Sequence, residues 1–167
     1  MSDSTCQEAT FKAIYLATIK RLRNFLYYKC GDWQRAEDLA QEAFGKLWEN
    51  CQKVPVEKAK SFLYTVANNR FLNQQAHQKV VLKFEQRGHS QRSNEDPQFL
   101  LEQEEFRQRL VEAINQLPDT QRTVFLMSRV DGLTYKEIAE RLELSVKAIE
   151  KRMHKALSSL KKIAQKE

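Results

Sequence analysis

The sequence predicts an all-α protein of two small helical domains joined by a flexible linker. First, its 167 residues contain only four Gly and three Pro, so long helices can run without interruption. Second, apolar residues recur at helical spacing along most of the chain, and no segment shows the alternation of a strand. Third, residues 85–97 contain no apolar anchor, which is typical of a solvated tether. We therefore predict domains over residues 8–82 and 99–163 and a flexible linker over residues 83–98.

Composition and charge narrow the classes of protein further. Hydrophobic residues make up 41% of the chain, and 28 Lys and Arg against 22 Asp and Glu give a net charge of +6. This is enough apolar material for folded cores, and the basic balance suits a polyanionic partner. No apolar run is long enough to span a bilayer, and the first 20 residues carry no secretory signal. We therefore expect a cytoplasmic protein without direct membrane insertion.

The cysteines and histidines form no catalytic or metal-binding pattern. Cys6, Cys30 and Cys51 are an odd set without a CxxC pair, so we expect reduced thiols and neither a disulfide framework nor a zinc site. The three histidines fall on predicted exposed or linker positions, and none is paired with a plausible nucleophile. The chain is therefore expected to need no metal or cofactor and not to be an enzyme.

Three helices are predicted in the first domain. Gly31 ends the first helix and Asp32 caps the second. The pair Val54-Pro55 forces extended backbone before the third. The predicted helices cover residues 7–29, 33–51 and 57–81.

The second domain has the outline of a helix-turn-helix. Helices are predicted over residues 99–117 and 119–130. A capping box, Thr134 with Glu137, then opens a short helix over residues 135–142, and a turn of four residues leads into a basic helix that runs to about residue 163. A short capped helix, a tight turn and a longer basic helix are typical of DNA readers.

The last helix separates into an apolar and a basic face. Between Ser145 and Lys166 there are seven basic residues and one acid, so the basicity of the chain is concentrated there. Ser145 is predicted to cap the helix and leave its first amides free for a phosphate. The predicted packing stripe is Val146, Ile149, Met153, Ala156, Leu157 and Leu160, and the opposite face carries Lys147, Glu150, Lys151, His154 and Lys155, with Arg152 at the edge.

This pattern predicts how the helix would meet DNA. Lys147 and Lys151 lie near its N-terminal end, where side chains reach base edges or phosphates in a major groove. Glu150 can contribute to DNA binding there if its carboxylate accepts a hydrogen bond from a cytosine amino group or orients a lysine. For Lys161, Lys162 and Lys166 we favour an ordinary solvated surface near the helix C-terminus.

Two motifs resemble signature regions of bacterial sigma factors. Residues 36–44, AEDLAQEAF, look like region 2.2 of that family. Residues 117–125, LPDTQRTVF, and residues 132–139, GLTYKEIA, look like its region 4. The motifs occur in the family's order and separation, and the resemblance covers about residues 8–162. The chain is similar to the extracytoplasmic-function (ECF) group, the smallest sigma-70 factors, and residues 146–157 are similar to its iron-uptake-type branch.

The resemblance implies partners and a function. It implies a subunit that binds core RNA polymerase through the β′ clamp and the β flap and directs initiation at promoters with particular −10 and −35 elements. An anti-sigma factor is a further implied partner. Asp38, Gln41 and Glu42 occupy the family positions that contact the clamp coiled coil, and they project away from the apolar stripe of their helix.

The resemblance also implies DNA-binding residues. The loop from Gln52 to Ala59 corresponds to the segment that receives a flipped base of the −10 element. The implied −10 contacts on the helix after it are Tyr64, Asn68, Asn69, Arg70, Asn73, His77 and Lys79, and the implied −35 contacts are Ser145, Lys147, Glu150, Lys151, Arg152, His154 and Lys155.

Three positions depart from the family pattern. Asn73 stands where many relatives have Asp, and Ala76 where many have Arg. Glu143 replaces the usual glycine of the helix-turn-helix turn, which costs about 1 kcal/mol if this residue has a positive φ.

Two rival functions fit parts of the sequence less well than a sigma factor does. One is a stand-alone helix-turn-helix regulator of duplex operators, with the first domain serving dimerisation or ligand binding. It is disfavoured because the first bundle has no ligand-binding glycine loop and its polar stripe suits a protein partner. The other is an enzyme, for which the sequence offers no catalytic constellation.

Overall fold

A computed structural model describes residues 3–74, 81–84 and 97–165, and within them the chain is entirely helical apart from turns and short loops. The order of helices is α1 (Glu8–Cys30), α2 (Trp33–Glu49), α3 (Val56–Asn73), α4 (Pro97–Gln116), α5 (Asp119–Arg129), α6 (Tyr135–Leu142) and α7 (Val146–Gln165).

The helix boundaries follow from the caps expected in the sequence. Gly31 ends α1 in the left-handed conformation, with φ 70°, and the Asp32 side chain accepts from the first amides of α2. The capping box of α6 is formed in both directions, because Glu137 N donates to Thr134 Oγ1 over 3.1 Å and Thr134 N donates to Glu137 Oε2 over 3.3 Å. These short-range hydrogen bonds make element starts readable from sequence.

Helices α1, α2 and α3 form an N-terminal bundle. Its core is apolar and fully buried, with one side of α2 facing inward at every helical turn. Phe25 of α1 and Tyr64 of α3 meet with ring centroids 5.0 Å apart. The main core side chains are Leu22, Phe25, Leu26, Leu39, Phe44, Leu47, Leu63 and Phe71.

The third helix is shorter than predicted. It ends at Asn73 rather than near residue 81, and residues 81–84 lie outside any helix. Leu82 is only 1% exposed, its N–H donates to Asn115 Oδ1, and the Tyr27 hydroxyl bonds to Lys83. This segment is therefore anchored between α1 and α4. The remainder of the predicted linker, residues 85–96, lies outside the described residues.

Helices α4 to α7 form a C-terminal bundle. Met127, Ile138, Ile149 and Met153 fill its centre and are at most 1% exposed. The predicted stripe of α7 is buried at Ile149, Met153 and Ala156 but about two-fifths exposed at Val146 and Leu157. The stripe is therefore narrower than the apolar pattern indicated, because the bundle covers only its centre.

The two bundles pack against each other, which the sequence did not indicate. Helix α1 contacts α5, and α3 contacts α6. Arg122 of α5 is 5% exposed, and its Nε donates to the Tyr28 carbonyl of α1 over 3.0 Å. Lys29 and Asp119 form a second link, 3.2 Å long.

The expectation of three reduced thiols is wrong for two of them. Cys6 and Cys51 are joined in a disulfide, and Cys30 remains a free thiol. Cys6 precedes α1 and Cys51 follows α2, so antiparallel packing of the two helices brings the cysteines together. A separation of 45 residues with no CxxC motif hides this neighbourhood from sequence inspection.

Candidate polymerase and nucleic-acid interfaces

The residues expected to meet core polymerase share one exposed face of α2. Asp38, Gln41 and Glu42 are all exposed, while Leu39 and Ala40 between them are buried. Gln41 Nε2 donates to Glu37 Oε1 over 2.9 Å, and this bond, with one from Arg23, holds the pKa of Glu37 below its usual value. The face is thus a hydrogen-bonded acidic surface.

The residues expected to meet the −10 element do not share one environment. Tyr64 is only 1% exposed, and Asn68 faces a cleft between the bundles that Arg152 also lines. Asn69 and Asn73 are exposed. Arg70 is half-buried, with its Nε 3.7 Å from the Glu42 carboxylate, which links the −10 set with the polymerase set. His77 and Lys79, like Ala76, lie outside the described residues.

Tyr64 lies between Phe25 of its own bundle and Arg141 of the C-terminal bundle. Burial raises the pKa of Tyr64 to about 12, against the opposing positive charge of Arg141 from α6. Within the described part of the chain, the buried Asn68 Oδ1 has no hydrogen-bond partner. The inner part of the predicted −10 surface is therefore covered by the other bundle in this arrangement.

The loop expected to capture a base connects α2 to α3. Its first residues form a tight turn, in which Lys53 N and Val54 N both donate to the Asn50 carbonyl. Val54 and Ala59 are buried, whereas Gln52, Lys53 and Lys58 are exposed. The loop thus has an apolar inner side and an outer side that carries both charges, since Glu57 is exposed as well.

The residues expected to meet the −35 element lie on the open side of α7. Ser145 Oγ accepts from Ala148 N over 3.1 Å, which confirms the expected cap. Ser145, Lys147, Glu150, Lys151, His154 and Lys155 are all exposed. Arg152 alone of the set is half-buried and turns toward the cleft between the bundles.

A buried polar cluster between the bundles was missed by sequence reasoning. Asp131, in the turn after α5, accepts from Asn24 Nδ2 and from the Tyr28 hydroxyl, each over 2.9 Å. Burial raises the pKa of Asp131, and these two bonds only partly oppose the shift. Burial, reinforced by the negative charge of Asp131, raises the pKa of Tyr28.

No local signal identified this cluster. Asp131-Gly132 is typical of an ordinary helix end, and Asn24 and Tyr28 are spaced as neighbours on one helical turn. Their meeting depends on how the bundles dock, over a separation of more than 100 residues.

Residues 3–74, 81–84 and 97–165 offer neither a cluster of metal ligands nor a membrane-spanning helix. That part of the chain contains no group of three or more His, Cys, Asp or Glu side chains arranged to hold a metal ion. None of its helices combines the length and apolar content needed to cross a bilayer.

Fold and surfaces together define a two-bundle helical protein with a helix-turn-helix that displays a basic face. Residues 14–80 match the family model described as Sigma-70 region 2, and residues 107–160 match Sigma-70, region 4. The chain belongs to the sigma-70 family of RNA polymerase sigma factors, in its ECF group. It is accordingly a transcription-initiation factor that directs promoter use.

Known sigma factors align with almost the whole chain. The ECF RNA polymerase sigma factor SigK of Mycobacterium tuberculosis H37Rv is 28% identical, over 92% of this chain and 85% of the relative. The ferric citrate uptake sigma factor FecI of Escherichia coli K12 is 26% identical, over 94% and 93%. The sigma factor YlaC of Bacillus subtilis 168 is 25% identical, over 89% and 88%. Because identity to FecI is no higher than to SigK, it does not single out the iron-uptake branch.

A solved structure supports the fold. The sigma factor RpoE of Bartonella quintana, crystallised with the anti-sigma factor NepR, superposes with a TM-score of 0.54 at 20% identity. The match covers 94% of this chain and 98% of the other.

Proposed function

We propose that the chain binds core RNA polymerase through the α2 face of Asp38, Gln41 and Glu42 and reads the two promoter elements with different bundles. The loop at residues 52–59 and α3 would take the −10 element, and α7 would take the −35 element. The observation that carries this assignment is the exposed basic face of α7, which begins at a capped N-terminus. Phosphates bind such a terminus, and the lysines beside it reach base edges.

The acidic face of α2 supports a protein partner rather than DNA. Asp38, Glu42 and the ionised Glu37 would repel phosphates and attract a basic protein surface. The partners proposed on this basis are the β′ clamp of core polymerase, with the β flap at the C-terminal bundle. An anti-sigma factor is a further proposed partner, in line with the Bartonella complex. These partners imply action in the cytoplasm.

In vitro transcription with host core polymerase on fragments of the host genome tests the function. The chain should produce discrete transcription starts that core polymerase alone does not make. If it instead produces none and binds duplex fragments without polymerase, the stand-alone regulator is the correct function.

The polymerase face has its own test. Asp38→Lys should weaken binding to core polymerase by about 10-fold or more, because it replaces an attraction by a like-charge contact. Glu49→Lys is the matched control, since it makes the same charge change near the other end of α2, where Glu49 is exposed. Equal core affinity of Asp38→Lys and wild type, with an unchanged circular dichroism spectrum, would show that the face is misassigned.

A further inference from the structure

Two half-buried cysteines face each other at one end of the N-terminal bundle. Cys6 lies just before α1 and Cys51 just after α2, and their Cα atoms are 4.9 Å apart. This is within the range that a disulfide spans without backbone movement. Because both side chains are only half-buried, small oxidants and reductants can reach them.

The bond joins a weakly capped helix start to a functional loop. The N-cap residue of α1, Gln7, makes no side-chain capping bond. The segment before it is held by the buried Thr5 hydroxyl, which donates to the Val54 carbonyl over 2.7 Å. The disulfide is the covalent link between the same two segments, so its loss would leave them joined by noncovalent contacts alone.

The loop that receives this link is the one expected to capture a −10 base. Cys51 immediately precedes residues 52–59, and Val54 lies within them. Lys53 N and Val54 N hold the loop as a turn through the Asn50 carbonyl. A crosslink at Cys51 therefore limits the motion of the residues that follow it.

We propose that Cys6 and Cys51 form a redox-modification site whose disulfide fixes the α2–α3 loop and strengthens binding of the opened −10 strand. The effect on DNA rests on the proposed function, whereas the redox site itself does not. The oxidised loop is ordered before DNA arrives, so less conformational freedom is lost on binding.

The chemistry needs a peroxide as oxidant. One thiolate attacks hydrogen peroxide, which breaks the O–O bond and gives a sulfenic acid and hydroxide; the second thiolate then displaces hydroxide from that sulfur. In sum, two thiols and H₂O₂ give one disulfide and two waters, with two electrons passing to the peroxide. A dithiol reductant reverses the bond by thiol–disulfide exchange and becomes a disulfide itself.

Cys30 provides an internal control. Its Sγ donates to the Asp32 carbonyl over 3.2 Å, and burial raises the pKa of its thiol. A protonated thiol is a poor nucleophile. The Cys30→Ser variant should therefore keep the redox response, whereas Cys6→Ser and Cys51→Ser should lose it.

The first arm of the test measures the site without DNA. The full chain is reduced with dithiothreitol or oxidised with peroxide, denatured, and alkylated with a maleimide reagent. Three thiols should react after reduction and only Cys30 after oxidation, with the Cys6–Cys51 peptide identified by mass spectrometry. Three reactive thiols after peroxide, or a bond that includes Cys30, would overturn the site.

The second arm measures the loop. Hydrogen exchange at residues 52–59 should be slower in the oxidised wild type than in the reduced wild type, and it should not respond to peroxide in Cys6→Ser. Because the main comparison is between two redox states of the wild-type chain, it does not depend on whether the variant folds. Equal exchange in both states would show that the bond does not fix the loop.

The third arm measures DNA binding by the holoenzyme. Its probe is a single-stranded oligonucleotide with the −10 non-template sequence of a start mapped in the transcription experiment. Oxidation should tighten binding by about 3- to 10-fold, the scale expected when about one loop residue is ordered in advance. Equal or weaker binding after oxidation would overturn the link to the −10 element. If no start is mapped, the proposed function fails, and the first two arms still decide the redox site.

Discussion

The two helices expected to read DNA, α7 and α3, differ in what covers them. On α7 the lysines at 147, 151 and 155 are exposed, and nothing in the described chain must move before they meet a groove. On α3, Tyr64 is buried and Asn68 faces the cleft between the bundles. The −35 surface is therefore available in this arrangement, whereas full use of the −10 surface requires the bundles to separate.

The contact between the two bundles includes polar groups that are imperfectly satisfied. Arg122, Lys29 and Asp131 make charged or charge-assisted contacts across it. The buried Asn68 Oδ1 and Asp131 Oδ2 lack partners within the described residues. Each such atom costs about 1–3 kcal/mol, which weakens the contact between the bundles.

The largest expected effect comes from Asp131→Lys. The variant removes the acceptor of Asn24 and Tyr28 and brings a cation near Arg21 and Arg141, whose charges already act on this site. A hydrogen bond to a charged group contributes about 1.5–3 kcal/mol, so losing these bonds should shift the balance between the form with packed bundles (closed) and the form with separated bundles (open) by more than about 10-fold. Hydroxyl-radical footprinting should show Tyr64 exposed, and the radius of gyration should rise.

Asp131→Asn is the matched control, because its amide oxygen still accepts both hydrogen bonds while the charge is absent. It should leave Tyr64 protected. If Asp131→Lys leaves Tyr64 as protected as in wild type, the buried cluster does not hold the bundles together, and the contrast between α3 and α7 loses its basis.

The next effect concerns α7 alone. Lys151→Ala should change which −35 sequence a randomised selection with holoenzyme recovers, since a specific base contact is worth about 1–3 kcal/mol. Arg152→Ala should lower output on all promoters without changing the selected motif, because this half-buried side chain turns toward the cleft. A shifted motif for Arg152→Ala and an unchanged one for Lys151→Ala would show that Arg152, rather than Lys151, lies on the face of α7 that contacts the bases.

A smaller effect is expected from pH. Burial raises the pKa of Asp131 in the closed form above its ordinary value. With the bundles packed together, Asp131 therefore holds its proton more tightly than when they are apart. The packed form gains stability as pH falls toward the ordinary pKa of Asp, and it loses this gain as pH rises through the raised pKa. Footprinting of Tyr64 should increase from acidic to neutral pH in the wild type and stay flat in Asp131→Asn. The same slope in both would assign the effect to another group.

The smallest effect is expected from Glu143→Gly, which changes the turn before α7 and leaves the contact between the bundles intact. Glu143 has φ 54°, a left-handed conformation that glycine adopts without strain. The variant should stabilise the C-terminal bundle by about 0.5–1 kcal/mol in a urea denaturation, with the same Tyr64 footprint as wild type.

Gly132→Ala supplies the opposite change. Gly132 has φ +67°, and a Cβ there would meet no atom within 4 Å, so the substitution should destabilise the bundle through backbone strain alone. Equal stability of Glu143→Gly and wild type would show that the positive φ costs Glu143 nothing.

Local chemistry explains how much of the fold was predictable. The caps at Asp32, Thr134 and Ser145 were predicted from residue type and are present. Helix α3 was predicted too long because the apolar pattern continues past residue 74. Leu82 is indeed buried, but in a segment outside any helix, where it bonds to Asn115. Apolar periodicity indicates which side chains are buried and does not specify the backbone that buries them.

The candidate sites, too, divide into those that the local sequence predicts and those that only tertiary contacts create. The exposed faces of α2 and α7 follow from one helix each, since residues three and four apart share a side. By itself the sequence determined the helices, their caps and these two faces, because each depends on residues within a few positions of one another. The tertiary structure alone decided that Asp131 meets Asn24 and Tyr28, that Tyr64 is covered, and that Cys6 bonds to Cys51. Such contacts join distant parts of the chain, and no local periodicity records how packed helices dock.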